Sequence, residues 1–178
     1  MAEESGKRQE AFRLFQRAYE HQMRGDLERA VALYRESIGV QPTAEAHTFL
    51  GWTYSFQGKL DEAIAECQKA IQVDPDFGNP YNDIGAYLIE KERWDEAIPW
   101  FEKAMKAKRY ESYAFPHLNL GRVWERKGEW HKAIKEYEEA MKANPNYAVA
   151  REAYWRLKGK LNGHANLKRL GEGGERNG

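Results

Sequence analysis

A repeated spacing of small residues constrains this chain more than any other feature of its sequence. Gly51 and Gly85 are 34 residues apart, as are Ala63 and Ala97, and a third glycine of the series follows at Gly121. A period of 34 residues is typical of a repeat built from two helices joined by a turn. The sequence therefore predicts stacked helix pairs instead of one central hydrophobic core.

The residue types inside one period fit two crossing helices. Gly51 and Ala63 are small where the helices of a pair would cross, because interaxial distances of about 8–10 Å leave no room for a large side chain. Pro75 ends the second helix, since its ring lacks an N–H group and clashes with the preceding turn. The order of these residues within 44–77 is Leu50-Gly51, Tyr54, Ala63, Cys67, Ala70 and Pro75.

This order resembles the tetratricopeptide repeat (TPR), and the chain is identified as a member of that family. The resemblance implies an all-α fold, a right-handed α-α superhelix (TPR solenoid) of antiparallel helix pairs. It implies a single TPR domain over 1–161, followed by a flexible C-terminal tail over 162–178, where glycine is frequent and apolar residues are few. Its parts are repeats at about 11–43, 44–77, 78–113 and 114–147 and a capping helix at 148–161.

Two repeats depart from the family pattern. Repeat 1 is one residue short and has Ala18 where the pattern has glycine, and its first helix is predicted to begin near Arg8 after a frayed 1–6. Repeat 3 has two extra residues within 108–113 and lacks the closing proline. Terminal repeats are often atypical.

Composition argues against several classes of function. Lys plus Arg is 28 and Asp plus Glu is 28, so the net charge is zero, whereas nucleic-acid binders show a basic excess. No stretch approaches the roughly 20 apolar residues needed to span a bilayer. A single cysteine, Cys67, and the lack of an apolar segment after Met1 predict a cytoplasmic protein.

The motifs of catalysis are missing from the sequence. The five histidines have no metal-ligand spacing, and the sequence contains no phosphate loop, no nucleophile elbow and no His-Glu-x-x-His. The prediction is a protein that is not an enzyme, with no catalytic residue, no metal and no cofactor. A role as an accessory or regulatory subunit of a catalytic partner is an alternative.

The TPR resemblance implies a concave groove, lined by the first helix of each repeat, that holds a peptide or helix of a partner protein. By the family's groove-facing positions, its N-terminal half is aromatic and consists of Phe15, Tyr19, Phe49, Trp52 and Phe56. Its C-terminal half is mainly polar and consists of Asn79, Asn82, Asp83, Phe115, Asn119, Arg122 and Arg126.

The predicted function is therefore a non-catalytic scaffold or adaptor. An aromatic anchor of the partner would pack on Phe49 and Trp52, because aromatic residues are enriched among binding hot spots. Asn82 and Asn119 would hold the partner's backbone, and Arg122 or Arg126 would donate hydrogen bonds to an acidic side chain. As alternatives, the aromatic patch joins two copies of the chain in a homodimer, or the N-terminal helix fills it.

A second resemblance concerns the third repeat. The stretch NDIGAYLIEKERWDEAIPWFEKA, followed by YESYAFPHLNLG, is similar to the middle of the TPR pilotins that chaperone type IV pilus secretins. This resemblance implies a pilotin-like assembly factor as a further alternative.

Overall fold

The protein's structure is a computed structural model that describes the backbone of residues 2–173 and the side chains of residues 3–163. Within that part of the chain, the secondary structure consists of α-helices, with one isolated bridge between Phe77 and Arg109. The helices are α1 (Ala2–Met23), α2 (Leu27–Val40), α3 (Ala44–Phe56), α4 (Leu60–Val73), α5 (Asn79–Glu90), α6 (Trp94–Lys106), α7 (Ala114–Arg126), α8 (Trp130–Ala143) and α9 (Ala148–Gly173).

Consecutive helices pack as pairs, α1 with α2, α3 with α4, α5 with α6 and α7 with α8, and α9 packs on α8. The turn inside a pair needs a residue with positive φ, a conformation that glycine adopts without steric cost. Gly25, Gly58 and Gly128 supply it with φ of 81°, 73° and 76°, and Glu92 takes the same place in the third pair with φ of 58°. The predicted all-α architecture of helix pairs is confirmed.

Two of the three glycines that define the period lie where a large aromatic ring packs against a helix. A Cβ atom added at Gly85 would lie 2.5 Å from Cε1 of Phe101, which is fully buried on α6. Gly121 faces Tyr137 in the same way on α7 and α8. Each glycine therefore lets a ring from the second helix approach the backbone of the first.

Two helix ends differ from the prediction. Helix α1 begins at Ala2, before the predicted start near Arg8, and Glu3 and Glu4 in its first turn interact favourably with the helix dipole. Helix α9 continues to Gly173, past the predicted end at Leu161. No proline interrupts it, and adding a residue to a formed helix costs much less than starting one. The flexible tail over 162–178 stays a prediction, and 174–178 lie outside the described residues.

The chain divides into two compact units, Met1–Glu111 and Ser112–Gly178. The division falls within 107–113, the connection that carries the two extra residues and has no helix. Unit 1 contains helices α1 to α6, and unit 2 contains α7 to α9. The prediction of one domain over 1–161 stays a prediction.

The first part of this connection is fastened to unit 1 by Arg109. Its guanidinium donates to Glu45 Oε1 at 2.6 Å and to Asp74 Oδ2 at 2.7 Å, and it lies 4.3 Å above the ring of Phe77. Arg109 takes the place of the closing proline, so an ion pair and a cation–π contact help fix the end of the third repeat.

Candidate protein-binding surface

Five aromatic side chains from α1 and α3 form one contiguous cluster in unit 1. Phe49 is at its centre, with ring centroids 5.2 Å from Phe15, 5.7 Å from Tyr19 and 5.6 Å from Trp52. The ring of Phe56 continues the series 5.2 Å beyond Trp52. We call this cluster the aromatic face. Its rings meet mainly edge to face, the arrangement that the charge distribution of aromatic rings favours.

The outer rings of the aromatic face are open to solvent. Phe56 is 56% exposed, Tyr19 is 41% exposed and Trp52 is 36% exposed, while Phe15 and Phe49 are half-buried beneath them. The exposed Phe12 and Met23 extend the apolar area along α1. Contiguous apolar patches on the surface of a protein mark interaction sites.

Polar side chains close to the aromatic face bond within the chain. Thr48 Oγ1 donates to the carbonyl of Ala44 at 2.7 Å, and Ser55 Oγ donates to the carbonyl of Trp52 at 2.8 Å. Beneath the rings, the buried hydroxyl of Tyr34 donates to Gln22 Oε1 at 2.7 Å. These groups are engaged internally, so the aromatic face offers a partner mainly apolar contacts.

The predicted polar residues of unit 1 lie on α5, and among them only Asn79 is exposed. Asn82 and Asp83 are half-buried, and Asn82 Nδ2 donates to Asp83 Oδ1 at 3.4 Å. Burial raises the pKa of Asp83 from its usual 3.8 to about 7, although the hydrogen bond from Asn82 opposes that shift. Asp83 is therefore not the simple surface anion that its groove position predicts.

Because the pKa of Asp83 is raised in the folded protein, the free energy of unfolding depends on pH through this residue. An acid whose pKa is higher in the folded state adds stability below its unfolded pKa, and that stability is lost as pH rises through the folded value. At pH 8 we expect the free energy of unfolding of Asp83→Asn, measured by urea unfolding, to exceed that of wild type by on the order of 2 kcal/mol. The difference should shrink toward pH 4. Glu102→Gln, on the exposed side of α6, controls for the loss of one charge. A variant no more stable than wild type at pH 8 would contradict this account.

The other predicted site residues belong to unit 2 and lie on α7. Phe115 is 45% exposed and packs edge to face on Tyr147 at 5.4 Å. Asn119 is half-buried and accepts from Arg122 Nη1 at 3.3 Å, whereas Arg122 and Arg126 are exposed. Asn82 belongs to unit 1 and Asn119 to unit 2, so the hypothesis that both bind the backbone of one peptide stays a prediction.

A histidine–glutamate pair occurs at equivalent places in two repeats. His47 Nδ1 lies 2.7 Å from Glu66 Oε2 in a buried contact, and His117 Nδ1 lies 2.7 Å from Glu136 Oε2. Each pair joins the first helix of its repeat to the second, which is a packing role. The described side chains contain no group of three metal-ligating residues, and no helix in the described range is long and apolar enough to cross a membrane.

Comparison with known proteins identifies the family to which this chain belongs. Family models described as tetratricopeptide repeat match residues 44–77 and 76–146, which together exceed half of the chain. The chain belongs to the tetratricopeptide repeat family. It is 26% identical over 94 residues to human DnaJ homolog subfamily C member 7, covering 50% of this chain and 19% of that protein. The chain thus spans about a fifth of the length of the curated relatives it matches first.

Solved structures show the same fold. Pseudomonas aeruginosa PilF superposes with a TM-score of 0.83 at 22% identity, covering 92% of this chain and 74% of PilF. PilW, a type IV pilus biogenesis factor, superposes with a TM-score of 0.76 at 22% identity, covering 83% of this chain and 68% of PilW. These similarities confirm the TPR solenoid fold.

Proposed function

We propose that this protein is a non-catalytic scaffold that binds a partner protein on the aromatic face of unit 1. The observation that carries the proposal is the contiguous series of rings from Tyr19 to Phe56, with its outer members open to solvent. Family membership supports the same class of function, since TPR proteins generally act as protein-interaction scaffolds. A cytoplasmic location stays a prediction.

The binding energy would come mainly from the rings. An apolar anchor of the partner would pack against Phe49 and Trp52 and remove their exposed surface from water, at about 25 cal/mol for each Å² buried. Asn82, on α5 of the same unit, would add a hydrogen bond to the partner's backbone. It is half-buried, so we assign it the smaller contribution. The role of Asn119, which belongs to unit 2, stays a prediction.

Site-specific photo-crosslinking tests this assignment. A benzoylphenylalanine placed at Phe56, on the aromatic face, should form an adduct with another protein in the organism that makes this chain. The same group placed at Gln68, which is exposed on α4, serves as the control and should give no such adduct. An adduct of Phe56 with a second copy would reassign the face to self-association. Equal adducts at both positions would contradict the proposal.

A role in pilus assembly is a second candidate. Two observations favour it, the resemblance of 82–121 to TPR pilotins and the fold shared with PilF and with the pilus biogenesis factor PilW. The same crosslinking experiment separates the candidates, because a secretin adduct at Phe56 would support the assembly role.

A further inference from the structure

Three repeats place an aromatic side chain at the same structural position. In repeat 2, Phe77 packs in one buried cluster with Ala44 at the start of α3 and Ala70 near the end of α4. In repeat 3, Tyr110 packs with Ala104 and lies directly against Gly78 at the start of α5. In both, the aromatic residue comes from the connection that follows the second helix and covers the gap between the two helices.

The fourth repeat, in unit 2, repeats this arrangement. Tyr147 packs against the cluster that contains Ala140 of α8, and its ring lies 5.4 Å from that of Phe115 at the start of α7. Phe77 and Tyr147 also share a sequence position, since each stands two residues after its repeat's closing proline, Pro75 or Pro145. We call these aromatic side chains plugs.

Repeat 1 has the same gap, and none of the described side chains plugs it. Its equivalent small residues are Ala11 on α1 and Ser37 on α2, and beside them is an open pocket of about 470 Å³ between α1, the end of α2 and the start of α3. The sequence explains the vacancy. The connection after α2 is only 41–43, and two residues after Pro42 the chain has Ala44, the first residue of α3.

The pocket's lining suits an apolar ring. Its accessible surface is mainly apolar, with Phe12 and Phe15 among the lining residues. Ser37 Oγ donates to the carbonyl of Ala11 at 2.7 Å, and Gln41 Oε1 is shielded from solvent, so neither oxygen is presented to a ligand. An aromatic ring would therefore bind here through apolar contact.

The carboxylates near the pocket are already paired. Glu45 in its wall is paired with Arg109 at 2.6 Å, and Glu3, which lines a neighbouring pocket, is paired with Lys7 at 3.3 Å. A cation entering the pocket would lose hydration without gaining an unpaired carboxylate from these two residues. Arg8, the cation in the pocket wall, is compatible with an aromatic ligand, because guanidinium groups stack on ring faces.

We propose that this pocket is a socket for an aromatic side chain of the partner protein, seated between α1 and α2 as Phe77 is seated between α3 and α4. The inference rests on the proposed function, because Phe15 belongs to both the socket and the aromatic face and one partner would engage the two together.

A small probe tests the socket without the partner. N-acetyl-tyrosinamide, titrated into the full chain and followed by amide NMR shifts, should bind saturably with a Kd on the order of 1 mM and shift the signals of Ala11, Ser37 and Gln41. N-acetyl-phenylalaninamide should bind with similar affinity, and N-acetyl-leucinamide should bind several-fold more weakly. Unsaturable binding, or shifts elsewhere in the chain only, would overturn the proposal.

The matched experiment fills the pocket with a side chain of the protein itself. Inserting a tyrosine between Thr43 and Ala44 restores the Pro-x-Tyr order of repeat 4. It should raise the Tm by a few degrees and abolish binding of the tyrosine probe. Ala11→Leu, which fills the pocket from α1, should abolish probe binding without changing the connection. A folded variant of either kind that binds the probe like wild type would overturn the proposal.

Two further outcomes separate this inference from the proposed function. Signals of Ser37 that shift with protein concentration alone would show a second copy in the pocket and would overturn the socket for a partner's aromatic side chain. Probe binding with no partner adduct at Phe56 would support the socket while the proposed function fails. A partner adduct without probe binding would leave the proposed function standing and overturn the socket.

Discussion

Gly85→Ala should lower the free energy of unfolding by about 3 kcal/mol, although alanine is the better helix former by about 1 kcal/mol. The added Cβ would lie 2.5 Å from Cε1 and 2.7 Å from Cζ of Phe101, closer than packed carbon atoms approach. Phe101 is fully buried on α6, so its ring cannot rotate away without repacking α5 against α6. The cost of overpacking therefore exceeds the gain in helix propensity, so this glycine-to-alanine substitution destabilises the protein. Urea unfolding followed by circular dichroism measures the change.

Gly39→Ala is the matched control within the same unit. Gly39 lies in α2 and is exposed, and an added Cβ would have no atom within 4 Å, so we expect a gain of about 0.5 kcal/mol. Shortening the ring partner in the double variant Gly85→Ala/Phe101→Leu should recover part of the loss, because neighbouring substitutions are not additive. Equal effects at Gly85 and Gly39 would contradict the packing explanation.

The same pair of residues shows why the fold could be predicted from the sequence. A glycine that recurs every 34 residues indicates a place where two helices pack closely. The structure has a buried ring against Gly85 and Gly121 at these places. The helix ends were harder to predict. The residues beyond 161 carry several glycines, which suggests disorder, yet the backbone of α9 continues through them to Gly173.

The placement of the candidate site could be predicted only in part. The groove-facing positions of the TPR family were sufficient to group Phe15, Tyr19, Phe49, Trp52 and Phe56, although their binding role stays a prediction. The half-burial of Asp83 could not be predicted from its position, because it depends on how neighbouring helices pack over α5. The pocket beside Ala11 was missed, and the signal that could have found it is the missing aromatic residue after Pro42.

Trp52→Ala should weaken binding of the partner about 30-fold, which corresponds to about 2 kcal/mol. Trp52 packs between Phe49 at 5.6 Å and Phe56 at 5.2 Å, and 36% of it remains exposed. It is thus held in place by its neighbours and still presents surface to a ligand. A partly exposed ring adds little to the packing of α3, so the helical content should not change. Calorimetric titration of the partner into each variant measures the loss.

The measurement that tests the central claim most directly is the affinity of the partner captured at Phe56 for wild type, Trp52→Ala and Trp155→Ala. Trp155 is 61% exposed on α9 and lies outside the aromatic face, so it controls for the removal of a surface tryptophan. The account predicts that Trp52→Ala binds about 30-fold more weakly while Trp155→Ala binds like wild type. Wild-type affinity in Trp52→Ala would contradict it.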